Sequence, residues 1–100
     1  MKHLEKLLWW LLTGKRGGVN RARIIKKLRE RPYNPHQLSK ELNLDYKTVR
    51  HHMDVLIKNN IVRSSGDGQY GTVYMLSNVM KDNFESFKEI WKVSEEEKDI

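Results

Sequence analysis

Two helix-start signals stand close together in the middle of this 100-residue chain, and they constrain its fold more than any other feature. Asn34-Pro35 offers a capping side chain followed by proline at the first helical position. Asp45 offers a second cap, with only Asn43-Leu44 between the two helices to make the turn. The spacing predicts a short helix to Leu42, with Leu38 and Leu42 on one face. A longer helix runs from Asp45 to Asn59 or Asn60, where two asparagines favour a left-handed stop. Two helices joined by so short a turn make a helix-turn-helix.

The flanking segments extend this motif. Ile61-Val62-Arg63 and Thr72-Val73-Tyr74-Met75-Leu76 are β-branched and aromatic runs around the glycine-rich stretch from Ser64 to Gly71, which reads as a hairpin, or wing. Upstream, Asn20 is expected to cap a helix to about Arg31, ended by Pro32. Ala22, Ile24, Ile25 and Leu28 face inward, and Arg21, Arg23, Lys26 and Lys27 largely outward. The expected fold is mainly α with a small β-hairpin: a winged helix-turn-helix with extra N-terminal and C-terminal helices. Residues 1–93 form one domain, made of a helix over 1–13, the winged core over 20–77 and a helix over 78–93. Residues 94–100 are an acidic tail expected to be unstructured.

Composition narrows the function classes. With 38% hydrophobic residues one modest core can close. The absence of cysteine removes disulfides and thiolate metal sites. The apolar run Leu7-Leu8-Trp9-Trp10-Leu11-Leu12 falls far short of the roughly 20 residues of a spanning helix. Lys15 and Arg16 follow it where a signal-peptide cleavage site would need small residues, so no membrane partner and a cytoplasmic location are expected. Gly14-Lys15 is no phosphate loop, since Trp9 and Arg16 stand where glycine and Ser or Thr are required. Charge is uneven. Gly14 to Arg63 carries 13 Lys and Arg against four acids, net +9, while Asn78 to Ile100 is net −3. A basic middle suits a polyanion.

On the helix from Asp45, stepping ~100° per residue puts Val49, Met53 and Leu56 inward, with Tyr46, His52 and Ile57 at the border. Lys47, Arg50, His51, Asp54 and Lys58 face outward. Lys47, Arg50 and His51, near the helix start, can donate to phosphates or to guanine edges, and Tyr46 and Thr48 can add hydroxyl contacts. On the wing, Arg63, Gln69 and Tyr70 can reach a nucleic-acid backbone. Asp54 is expected to hold Arg50 or to lie beyond the contact zone. His51 and His52 diverge by about 100°, too far for a joint metal site, and His52 reads as a core-edge residue.

The run Leu38-Ser39-Lys40-Glu41-Leu42-Asn43-Leu44-Asp45-Tyr46-Lys47-Thr48-Val49-Arg50-His51-His52-Met53-Asp54-Val55-Leu56, then Asn60-Ile61-Val62 and the hairpin, resembles the winged-helix repressors of the ArsR class. With Gly17-Gly18-Val19-Asn20-Arg21-Ala22-Arg23 ahead of it, the chain is similar to archaeal members. The resemblance covers Val19 to Ser77. It implies that the positions of Tyr46, Lys47, Arg50 and His51 face the major groove of double-stranded DNA, that the wing reaches the adjacent backbone or minor groove, and that the terminal helices build a homodimer. The chain departs from metal-sensing members, whose cysteine pair is missing, so neither a metal nor a cofactor is expected.

Apolar surface at both chain ends points the same way. Leu8, Trp9, Trp10 and Leu12 at one end, and Phe84, Phe87 and Trp91 at the other, are the expected dimer interface. An enzyme is disfavoured, for no nucleophile has a nearby base and no acid pair has a pocket. The competing reading is a winged-helix protein-interaction module within a transcription complex. That module would show apolar anchors on the outer face of the second motif helix, where this chain has Lys47, Arg50, His51 and Lys58. An RNA reader would show a broader aromatic platform than Tyr46 and Tyr70.

Overall fold

The computed structural model describes residues 3–13, 17–66 and 72–98. Its elements run α1 (His3–Thr13), α2 (Gly18–Glu30), α3 (Pro35–Leu42), α4 (Tyr46–Lys58), β1 (Val62–Ser64), β2 (Tyr74–Leu76), α5 (Asn78–Asp82) and α6 (Phe84–Lys98). Mostly helical with one antiparallel hairpin, it is a winged helix-turn-helix carrying additional helices at both ends.

α3 and α4 start where their caps direct. The Asn34 side chain accepts from the Gln37 amide at 2.8 Å while the Gln37 side chain accepts from the Asn34 amide at 2.9 Å, a reciprocal capping box with Pro35 in the first turn. Asn43 takes a left-handed conformation at φ 52° and stops α3. The turn is then tied by the Ser39 hydroxyl donating to the Leu44 carbonyl at 2.6 Å, and Asp45 caps α4 by accepting from the Lys47 amide at 3.0 Å. Leu38, Leu42, Val49, Met53 and Leu56 are buried together, which sets the angle between the two helices.

α2 begins earlier than expected. Asn20 lies inside the helix, its side-chain oxygen accepting from Arg23 at 3.2 Å, and the chain enters through Gly17 at φ +95°. A side chain at Gly18 would collide with the Leu12 backbone of α1, so the close approach of the two helices requires glycine there. Arg21 is buried, against expectation, because the last turn of α1 packs beside it. It is 6% exposed, and its Nε donates to the Leu11 carbonyl at 2.9 Å, satisfying an acceptor in the last turn of α1. Arg23 is likewise half-buried and donates to the Leu42 carbonyl at the end of α3.

β1 lies one residue later than expected and β2 is two residues shorter, pairing Val62 with Leu76, Arg63 with Met75 and Ser64 with Tyr74. Tyr33, directly after Pro32, adds an isolated bridge: its amide donates to the Tyr74 carbonyl at 3.1 Å and its carbonyl accepts from the Tyr74 amide at 2.7 Å. The wing is thereby fastened to the link between α2 and α3.

The terminal helices differ most from expectation. α1 packs against α6 as well as α2, and Leu8, Leu11 and Leu12 share one core with Phe84, Phe87, Ile90 and Trp91. Leu8, Leu12, Phe84, Phe87 and Trp91, read from sequence as dimer contacts, are therefore filled positions of the chain's own core. Of that set only Trp9 at 37% and Trp10 at 55% remain exposed. The helix expected over 78–93 is broken at Asn83, whose amide donates to the Met80 carbonyl at 3.3 Å. The second piece continues to Lys98, so the tail expected to be unstructured is helical that far. Glu and Lys are good helix formers, and α6 is already nucleated by its packed first turns.

Candidate nucleic-acid interface

Burial on α4 divides the helix along its length. Val49, His52, Met53 and Leu56 are buried; Lys47, Arg50, His51, Asp54 and Lys58 are exposed; Tyr46 and Thr48 are half-buried at the edge. Every α4 residue singled out from the sequence for groove or phosphate contact therefore lies on the exposed face or its margin. Arg63 on β1 is also exposed. Gln69 and Tyr70 lie outside the described residues.

Local contacts preset part of this face. The Arg50 Nη1 donates to the Tyr46 hydroxyl at 3.3 Å, one turn back, and the Tyr46 ring stacks on His36 of α3 with centroids 4.4 Å apart and planes 18° from parallel. A chain of three side chains thus runs from α3 to the guanidinium. Asp54 does not hold Arg50 as one of the sequence alternatives had it: among the described residues no Arg50–Asp54 ion pair forms. Arg50 remains firmly cationic, its pKa raised by the Tyr46 hydrogen bond first and by the nearby Tyr74, Tyr46 and Asp54 charges after it. Burial raises the Tyr74 hydroxyl. His36 was missed from sequence, since nothing in its surroundings signals that the turn brings it onto Tyr46.

His52 was expected at the core edge and goes deeper, being 5% exposed. Its Nδ1 is buried without a hydrogen-bond partner, and burial, then the charges of Arg21 and His51, hold its pKa well down at about 4. Among the described residues no group of His, Cys, Asp and Glu is arranged to hold a metal ion, and no helix is long and apolar enough to cross a membrane.

Capped helices joined by a left-handed turn, a hairpin fastened beside them and an exposed cationic second helix define the winged helix-turn-helix class. Residues 18–64 match the family model described as bacterial regulatory protein, arsR family, a family of regulatory proteins and not of enzymes. No curated protein matches the chain in sequence. Among solved structures, diamide-treated YodB from B. subtilis is similar at a TM-score of 0.68 and 17% identity, over 96% of this chain and 94% of that one. A probable transcriptional regulator from Pseudomonas aeruginosa is similar at 0.64 and 20% identity, over 91% and 74%. The Staphylococcus aureus MarR in complex with salicylate and kanamycin is similar at 0.63 and 12% identity, over 96% of this chain but 62% of its own length.

Proposed function

We propose that the protein is a sequence-specific double-stranded DNA-binding transcription regulator, a homodimeric repressor that inserts α4 into the major groove and sets its wing on the backbone. The observation that carries this reading is the outer face of α4, where Lys47, Arg50, His51 and Lys58 are exposed around a single acid, Asp54. Such a face matches phosphates and guanine edges, and the large apolar anchors of a protein-docking helix are missing from it apart from Ile57 at the border. Repression in this reading is by occupancy, a bound dimer standing in the path of the polymerase. Selection of sites from random duplex DNA, at two salt concentrations, tests the proposal. Enrichment of an inverted repeat supports it; no enrichment at either salt contradicts it.

On the selected site, Arg50→Ala is expected to weaken binding by about 1 to 3 kcal/mol if the guanidinium reads a guanine, with relaxed preference at that position. Lys47→Ala is expected to weaken all sequences alike and to flatten the salt dependence. Fluorescence anisotropy on matched and mismatched duplexes checks both. Equal affinity for both variants and the native chain, with circular dichroism unchanged, contradicts the assignment.

Dimerisation in this reading centres on Trp9 and Trp10, the large exposed aromatics of α1. Two-fold pairing there covers surface the monomer leaves in water and presents two α4 helices to half-sites roughly 34–36 Å apart. Sedimentation equilibrium at micromolar concentration is expected to give a dimer, and Trp10→Glu to weaken it tenfold or more, about 1.4 kcal/mol. A native chain that stays monomeric there, and on a palindromic site too, contradicts the homodimer.

A further inference from the structure

A cleft of about 330 Å³ opens between the start of α2 and the flank of α4, lined by Gly17, Asn20, Arg21, Thr48, His51 and His52. Its lining contains hydrogen-bond donors and cationic or protonatable groups and no carboxylate. Arg21 is nine-tenths buried, and among the described residues no Asp or Glu comes within ion-pair distance of it. Among the described residues its side chain donates to the Leu11 carbonyl. The first turn of α2 has no side-chain cap, so the helix presents its amides and the positive end of its dipole at the same place.

Two features mark this as more than a helix end. His52, also nine-tenths buried, lines the cleft and turns Cε1 and Nε2 toward Gly17, while its Nδ1 is buried without a hydrogen-bond partner. Gly17, at φ +95°, has no room for a side chain: a Cβ would stand 2.7 Å from His52 Cε1 and 3.1 Å from Arg21 Nη1. The glycine backbone is thus pressed against both groups, and they hold one another in place. A desolvated cation beside a buried imidazole, with no anion among the described residues to meet them, is costly unless something negative enters.

We propose that this cleft is an oxyanion site that takes a phosphate group, held by the Arg21 guanidinium, the His52 and His51 imidazoles, the Asn20 and Thr48 side chains and the amides opening α2. Phosphate chemistry has two sources here, a backbone phosphodiester of bound DNA or a free phosphate; only the first rests on the DNA-binding reading. Thr48 and His51 belong both to the cleft and to the margin and outer face of α4, so an occupant sits beside the proposed groove contacts. Among the described residues, the charged and titratable groups that face His52 are Arg21 from α2 and His51 from α4. A phosphate among them favours the imidazolium, so binding moves the His52 titration upward in pH.

The test is titration of inorganic phosphate into the free, isotope-labelled protein at constant ionic strength, with chloride as the control and imidazole and Arg21 Nε–H signals followed by NMR. Saturable shifts at His52, His51 and Arg21, and a His52 titration midpoint that rises with phosphate, are the expected result. Arg21→Gln should weaken phosphate roughly tenfold or more, and Arg21→Lys, which keeps the charge, less so. Should Arg21→Gln fail to fold, the native chain's signals decide alone. Linear shifts equal to those in chloride overturn the site. A second arm adds the selected duplex. Loss of the phosphate shifts on DNA binding, with phosphate in turn releasing DNA beyond the chloride control, identifies the backbone as the source, whereas phosphate that stays bound in the DNA complex identifies a free anion. Saturable phosphate with no duplex bound at all retains the site while removing the DNA reading.

Discussion

Phe87→Ala is expected to cost the isolated chain about 3 to 5 kcal/mol of folding stability, although Phe87 is not part of the helix-turn-helix. The ring is 1% exposed, tilted against Phe84 with centroids 5.0 Å apart, and shares one core with Leu8 and Leu11 of α1. Removing it loses both the transfer free energy of the ring and the contacts around the cavity left behind. For a domain of this size that is a large part of the total stability. Trp10→Ala, at an exposed position of α1, should change monomer stability by about 0.5 kcal/mol or less. Urea unfolding at several protein concentrations separates the two effects. A Phe87→Ala chain that keeps its stability but loses self-association would return α6 to the dimer interface and overturn the monomer-core account.

The second large effect is a loss of stability in mild acid. The folded chain holds the His52 pKa at about 4 against an ordinary 6.5, mainly because the ring is buried. The unfolded chain therefore binds the proton more readily, and stability falls as pH is lowered. The contribution is fully present above about 6.5, is lost progressively from there down to about 4, and amounts to something on the order of 3 kcal/mol. His52→Gln removes the titrating group. The difference between the unfolding free energies of the native and His52→Gln chains, from urea titrations in chloride buffers across this window, should shrink by that amount toward pH 4. Parallel decline of both proteins would mean that other groups carry the acid sensitivity.

What the sequence made legible and what it hid divide along physical lines. Asn34-Pro35, Asn43 and Asp45 act within a few residues of themselves, so the two motif helices and their turn were readable from local chemistry. The outward face of α4 followed from helical periodicity, since Val49, Met53 and Leu56 fix which side is buried. Arg21 was misread because its burial depends on α1 ending beside it, a contact across the helix pair that no local pattern reports. Tyr33 was unreadable for the same reason, its bridge lying to Tyr74 in the distant wing. The terminal helices show the limit most clearly. Leu8 and Phe87 are correctly apolar, but periodicity says only that a face must be covered, not whether the cover comes from the same chain or a second one.

The central claim is that the exposed face of α4 is the surface that meets DNA. The most direct measurement is the change in backbone amide NMR signals on adding the selected duplex, with hydrogen exchange on the same sample. The expected result is saturable change concentrated over Asp45 to His52 and at Arg63, with Leu11, Phe87 and the rest of the α1–α6 core unaffected. Change confined to α1 and α6 with the outer face of α4 undisturbed, or no saturable change at all, would contradict it.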